Sequence, residues 1–246
     1  MQSGLNKAQK SLSNFQRNVS SIMGKVATVL AAVKIGEVIK DSVKDAMSVE
    51  TSIENINRTM QGSAKVFGDW VKSQSQAYGM SIKEGYKYGS TYSNLISSFE
   101  NNTKKISDST QELMKATSII ASKTGRTFED TAERIRSGML GSTEAIEDLG
   151  VYTQVSMLES TEAFKELANG KTWQQLNFQT QQQIRLAAIL EQTYARYGTT
   201  LADTTQTRHN QFIASLKNVQ LTLGQAFLPI YNAILPPLTT FINALS

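Results

Sequence analysis

The chain of 246 residues has no cysteine, one histidine and three prolines. The missing thiols exclude a disulfide scaffold, thiolate zinc sites and cysteine nucleophiles. A single histidine excludes a histidine-rich metal site and leaves at most one route to serine–histidine chemistry. The prolines, Pro229, Pro236 and Pro237, all lie near the C-terminus, so 228 residues run without a proline break. That predicts helix. Aromatic residues are sparse at 8%, but 40% hydrophobic content over this length is enough to bury a core.

Charge of one sign is missing from both ends. Residues 1–36 carry Lys7, Lys10, Arg17, Lys25 and Lys34 and no acid, whereas residues 218–246 carry no charged residue at all. The net charge of +4 therefore belongs to the N-terminal segment. Such an arm can meet phosphate or anionic lipid. Its charges are scattered, without an arginine cluster or interleaved aromatics, which favours a solvated helix face. The apolar stretch Ile22–Gly36 starts late for a signal peptide, contains Lys25, Thr28 and Lys34, and is shorter than the ~20 residues that span a bilayer. No signal peptide is expected.

The N-terminal segment is the most regular. Leu5, Ala8, Leu12, Phe15, Val19, Ile22, Val26, Val29 and Val33 alternate in steps of three and four, an a/d heptad register. A helix with this seam buries it against another helix, so self-association through Leu5, Leu12, Phe15, Val19, Ile22, Val26, Val29 and Val33 is expected. The flanking e and g positions are nearly uncharged and do not set partner choice. Beyond Val33 the series passes Gly36 and resumes at Ile39, Val43 and Ala46, with an extra three-residue step that overwinds a coiled coil. As one helix to Thr59 the segment is a rod of about 80 Å at 1.5 Å per residue. The alternative is two shorter helices folded back at Gly36.

Residues 61–199 read as a compact domain of short helices, punctuated by glycine. Ser81–Glu84, Ser109–Glu112 and Thr180–Gln183 have the capping-box pattern, and Thr127–Asp130 a shortened form. Helices are predicted near 63–78, 82–99, 110–123, 128–138, 143–149, 161–168 and 181–197. Val151–Leu158 has the composition of a short strand. Gly85-Tyr-Lys-Tyr-Gly89 reads as a helix packed through Tyr86 and Tyr88.

Residues 200–246 return to long helix, with Phe212, Leu216, Val219, Leu223 and Ala226 in helical spacing. Pro229 and Pro236-Pro237 are expected to break it. The uncharged end is long enough by count to cross a bilayer, but its prolines, asparagines and threonines favour a buried helix pair. The apolar pattern is still running at Ser246, so the natural chain is expected to continue. The predicted fold is all-α: a coiled-coil-like helix over 1–60, a core domain over 61–199, and C-terminal helices over 200–246.

Motifs of chemistry are missing. There is no phosphate-binding glycine loop, no Gly-x-Ser-x-Gly and no His-Glu-x-x-His. His209 lies in a polar stretch and reads as a solvated helix residue. Acidic groups at Glu129/Asp130/Glu133, Glu144/Glu147/Asp148 and Glu159/Glu162/Glu166 fall at predicted helix starts, where the helix dipole favours them. No catalytic residue, cofactor or metal site is expected.

Two segments are more specific. Arg126 to Val151 contains Gly138, Gly141, Thr143, Glu144, Leu149 and Gly150, in the order Gly-x-Thr-Glu-x-hydrophobic leading to Leu-Gly-hydrophobic. Gly141 is expected to open a turn, Ser142 or Thr143 to cap a short helix, and Gly150 to take positive φ at its end. Later, Leu223-Gly224 leads through Leu228 to Pro229. In this order and spacing the chain resembles the phage tail tape measure protein family. The resemblance implies a virion structural protein, present in several copies in the lumen of the tail tube, that sets tail length during assembly and is released at DNA ejection. It implies tail tube and tail tip proteins and assembly chaperones as partners, possible host membrane contact, and no sequence-specific nucleic acid. It places the chain in the virion tail, and in the host bacterial cytoplasm during assembly. The chain lacks the long C-terminal repeats of many relatives, so it is expected to be part of the ruler or a short tail's version, and a prophage or tail-like bacteriocin is an equal source. A secreted helical pore-forming toxin is the main alternative.

Overall fold

A computed structural model describes residues 35–245, with side chains at 38–229 and at 231 and 232. The seam Leu5–Val33 lies outside the described residues. The fold is all-α, with no strand among the described residues. In order the helices are α1 (Ile35–Met60), α2 (Ala64–Gln74), α3 (Ile82–Ile96), α4 (Thr103–Thr124), α5 (Phe128–Met139), α6 (Glu144–Glu147), α7 (Val155–Leu158), α8 (Glu162–Leu167), α9 (Phe178–Tyr197) and α10 (Thr205–Leu245). Short 3-10 turns occupy Gln61–Ser63, Gln76–Tyr78 and Trp173–Gln175. Contacts divide the described residues into Val49–Lys217 and a second unit of residues 35–48 with 218–245. The end helices α1 and α10 contribute to both.

Local chemistry starts most helices. Ser81 caps α3 in a full capping box: its Oγ accepts from Glu84 N at 3.1 Å, and Glu84 accepts from Ser81 N at 2.8 Å. Thr127 Oγ1 accepts from Asp130 N at 3.1 Å to start α5. Two starts differ from the sequence expectation. Helix α4 begins at Thr103, capped by the Asn102 side chain through Lys105 N at 3.0 Å. Ser109 lies inside it. The earlier start places Ile106 and Ser107 on the buried face. Helix α9 likewise begins at Phe178, with Asn177 accepting from Thr180 N at 2.8 Å.

Two further expectations are corrected. Val151–Leu158 is not a strand: 155–158 form one helical turn, α7. The backbone also stays helical through Pro229, Pro236 and Pro237 rather than breaking there. An interior proline removes its own N–H bond, for Pro229 the one to the carbonyl of Gln225, and its ring crowds that carbonyl, while the other helical bonds remain. Pro229 and Gln225 are both exposed, so water can take up that carbonyl. Among the described residues no helix is long and apolar enough to cross a membrane.

Within Val49–Lys217, α4 is the central element, and α3, α5 and α9 pack against it. Its buried face mixes Leu113, Met114, Ile119 and Ile120 with Thr110, Thr117 and Ser118. Each hydroxyl donates to the carbonyl four residues back, at 2.7, 2.7 and 3.1 Å respectively, so burial leaves none unsatisfied. Tyr92, fully buried, places its hydroxyl 3.0 Å from Thr117 Oγ1 and 3.2 Å from Ala132 O, within donating reach of either, and so joins α3, α4 and α5. Helix α2 lies close on α3 because Gly85 and Gly89 have no side chain. A Cβ on Gly85 would sit 2.7 Å from Val71 Cγ1, and one on Gly89 2.6 Å from Phe67 Cε1. Tyr86 and Tyr88 are buried, as the Gly85–Gly89 pattern predicts.

Gly89→Ala is expected to destabilise the protein by about 1–3 kcal/mol through overpacking against Phe67. Gly62→Ala meets nothing within 4 Å, and is expected to be neutral or to stabilise by up to about 1 kcal/mol. Urea unfolding of the two variants measures both. Equal effects would contradict the close α2–α3 contact.

Candidate functional site

The segment 138–150 forms a turn between α5 and α6 that depends on three glycines. Gly138, in the last turn of α5, lies against Ile146: an added Cβ would be 2.9 Å from Ile146 Cγ2 and 3.0 Å from its Cβ. Gly141 turns the chain at φ +93°. Its N–H donates to Gly138 O at 3.0 Å, and Ser142 N donates to Ser137 O at 3.0 Å. Thr143 stands at the start of α6 without a side-chain capping bond, so neither its hydroxyl nor a strong cap sets this turn. Glu144 follows in the first turn of α6. Gly150 leaves the turn at φ +67°. Ile146 and Leu149 are fully buried.

Partners from distant sequence hold this turn. Arg134 on α5 donates to Ala145 O at 3.2 Å and to Asp148 at 2.6 Å, closing α6 onto α5. From α9, Tyr197 OH donates to Leu149 O at 2.6 Å and Arg196 Nη1 to Gly150 O at 3.4 Å. Gln192 pairs with the backbone of Tyr152 in both directions, at 2.8 and 2.9 Å. The last three residues of this set, Gln192, Arg196 and Tyr197, have no signature in the local sequence. Their spacing on one helix, facing a turn more than 40 positions away, is a tertiary fact.

Beside the turn the surface is apolar with one cation. Leu140 is 59% exposed and Phe178 56% exposed. Both border a cavity of about 100 Å³ that Leu95, Phe99, Met139 and Gln182 also line. With its amide oriented to satisfy both ends, Gln182 donates to Met139 O at 3.0 Å and accepts from Arg185 Nη1 at 2.9 Å. The Arg185 guanidinium stacks over Trp173, 5.4 Å from the ring centroid. Trp173 itself belongs to a cluster with Leu158, Leu176, Ile184 and Ala188, in which the short segment 155–176 covers α9.

Several of the acids noted in the sequence have partners within the fold. Glu129 accepts from Lys87 at 2.7 Å and from Tyr88 OH at 3.2 Å. Asp130 pairs with Arg126 and Arg134 at 2.9 and 3.1 Å. Glu159 accepts from Trp173 N at 3.2 Å. Glu112, outside those groups, accepts from Lys115 at 2.7 Å and Tyr194 OH at 2.8 Å. The Lys87 hydrogen bond holds Glu129 below the usual carboxylate range. For Glu112 and Asp130, burial pushes upward, but hydrogen bonds from their partners outweigh it and the net shift is downward. Burial, followed by the neighbouring carboxylates, pushes the Tyr88 and Tyr194 hydroxyls up, so both stay protonated donors. These pairs tie helices together: carboxylates held ionised are poor proton donors. His209 is exposed on α10. Among the described residues no group of three or more acids or histidines is placed to hold a metal.

The C-terminal motif marks another close contact, within the second unit. Gly224 on α10 meets the backbone of Ser42 on α1, and an added Cβ would overlap the Ser42 carbonyl and lie 3.1 Å from its Cα. Leu228 is buried, Leu223 partly so, and Pro229 is exposed. The Ser42 hydroxyl is buried there without a hydrogen-bond partner.

Compared with models of known families, with curated proteins and with solved structures, the chain has no match.

Gly138→Ala is expected to cost about 1–3 kcal/mol, since Ile146 can shift only in part. Gly224→Ala is expected to perturb its unit more, because the opposing atoms are backbone rather than a side-chain tip. Chemical denaturation followed by circular dichroism compares them, and a silent Gly224→Ala would contradict the helix crossing. The depressed carboxylates set a pH dependence. Their stabilisation is present above the unfolded-state values of about 3.9–4.3 and is lost as pH falls through the lower folded-state values. The melting temperature is therefore expected to fall below about pH 4, with a shallower fall in the Glu112→Gln, Glu129→Gln, Asp130→Asn triple variant.

Proposed function

We propose that the chain is part of a phage tail tape measure protein: a structural component of the tail tube lumen that sets tail length during assembly and leaves at DNA ejection. The observation that carries this reading is the order and spacing of two motifs. Gly138, Gly141, Thr143, Glu144, Leu149 and Gly150 come first, followed by Leu223, Gly224, Leu228 and Pro229. Three features support it. The fold is all-α, built from helices joined by tight turns, a composition suited to an elongated lumenal assembly. Gly138, Gly141, Gly150 and Gly224 each sit at a close contact or a positive φ, so the motif residues have a physical reason to be glycine. The N-terminal heptad seam offers a surface for several copies to associate. The role proposed needs shape and self-association and assigns no catalytic step to the chain.

The ruler reading has a length test. In the phage or prophage that encodes the chain, an in-frame duplication of four heptads within residues 5–33 adds about 40 Å of helix at 1.5 Å per residue. Tails measured by electron microscopy are expected to lengthen by a comparable amount. Deletion of the same heptads is expected to shorten them. Tails of unchanged length in both strains would reject the proposal.

A further inference from the structure

The exposed face beside the glycine turn has properties that the ruler role does not use. Leu140 and Phe178 are among the most exposed large apolar side chains, at 59% and 56%, whereas their neighbours Met139 and Leu176 are buried. Leu140 follows the end of α5 and Phe178 begins α9, and they meet across one cavity of about 100 Å³. A cavity of ~150 Å³ holds a benzene ring, so this one is on the scale of a single aliphatic side chain. Polar character at its edge comes from Gln182, whose amide links Met139 O to Arg185 Nη1.

Arg185 is the unusual member. It is partly buried, and among the described residues no carboxylate pairs with it. Its Nε is buried without a hydrogen-bond partner. The other partly buried arginines among the described residues, Arg126, Arg134 and Arg136, each pair with an acid. Removing a guanidinium from water without an opposing charge is costly. The Trp173 ring and the Gln182 oxygen offset only part of that cost. Phe178, Gln182 and Arg185 follow one another at helical spacing along α9, with Leu140 and Gly141 opposite. Gly141 lies beside the guanidinium: a Cβ there would stand 3.6 Å from Arg185 Nη2, in ordinary contact. An apolar recess and a cation without an acid therefore lie one amide side chain apart.

We propose that this face docks a partner polypeptide, one that inserts an aliphatic side chain between Leu140 and Phe178 and sets a carboxylate on Arg185. Charge complementarity selects an acidic partner. The apolar recess selects one whose carboxylate lies next to a leucine-like residue. The proposal stands independently of the tape measure reading.

Trp173 supplies the readout. In the full chain carrying Trp70→Phe, the remaining tryptophan stacks on Arg185, and its emission is followed while N-acetyl-L-leucine is added. Saturable binding with a Kd on the order of 1 mM is expected for so small a probe. N-acetyl-L-leucinamide, which lacks the charge, and sodium acetate, which lacks the side chain, are each expected to bind about five- to tenfold more weakly. Arg185→Gln is expected to erase the difference between the acid and the amide. Leu140→Asp, at an exposed position that tolerates the change, is expected to weaken both, and it serves where Arg185→Gln lowers stability. Several results would overturn the proposal. They are no change in emission up to about 50 mM probe, equal binding of acid and amide, or acetate binding as well as N-acetyl-L-leucine. Dimers of the chain that Leu140→Asp dissolves would overturn it too, by assigning the face to a second copy.

Discussion

The central unit depends on the burial of α4 on almost every side. A helix so enclosed would normally be wholly apolar, yet α4 carries Ser107, Thr110, Thr117 and Ser118 on its buried face. It tolerates them because Thr110, Thr117 and Ser118 return their hydrogen bonds to the helix's own carbonyls. Their small volume lets α3, α5 and α9 come close. Tyr92 uses the same polarity: its ring fills the interface between α3 and α5 while its hydroxyl finds Thr117 and Ala132.

Glycine does the corresponding work at the periphery. Gly85 and Gly89 admit Val71 and Phe67, Gly138 admits Ile146, and Gly224 admits the backbone of α1. Each is a place where helices meet at a distance that a methyl group would increase. Gly141 and Gly150 serve differently, through positive φ, and turn the chain between α5 and α6 and on toward Tyr152. The resulting turn is stiff because α9 reaches across to it through Gln192, Arg196 and Tyr197. Ionic contacts follow the same plan: Lys87–Glu129 joins α3 to α5, and Arg134–Asp148 joins α5 to the end of α6. Among the partly buried arginines of the described residues, Arg185 alone has no acid opposite it and lies over the Trp173 ring instead.

The all-helical character was legible from the proline distribution, the capping patterns and the apolar spacing. So were the Ser81 and Thr127 starts, the packing of Tyr86 and Tyr88, the turn at Gly141 and the positive φ of Gly150. These features depend on interactions within three or four residues, where sequence and geometry are nearly one-to-one. The starts at Asn102 and Asn177 were missed because several neighbouring side chains can cap a helix equally well. The choice falls on the residue that brings the next apolar positions, such as Ile106, onto the core face. The helix through Pro229 was missed because an interior proline ordinarily costs about 3 kcal/mol or more, and the local sequence does not show that the helix continues in spite of it.

What the sequence determined by itself was therefore the all-helical class, most of the helix positions and the absence of thiol chemistry. The tertiary structure alone decided which surfaces were left over. Leu140 and Phe178 look like core residues in the sequence, and Arg185 looks like any helix arginine. Only the packing of α5 against α9 leaves the first two in solvent and the third without an acid. Exposure and ion pairing are properties of distance in space, and a one-dimensional pattern of residues does not contain them.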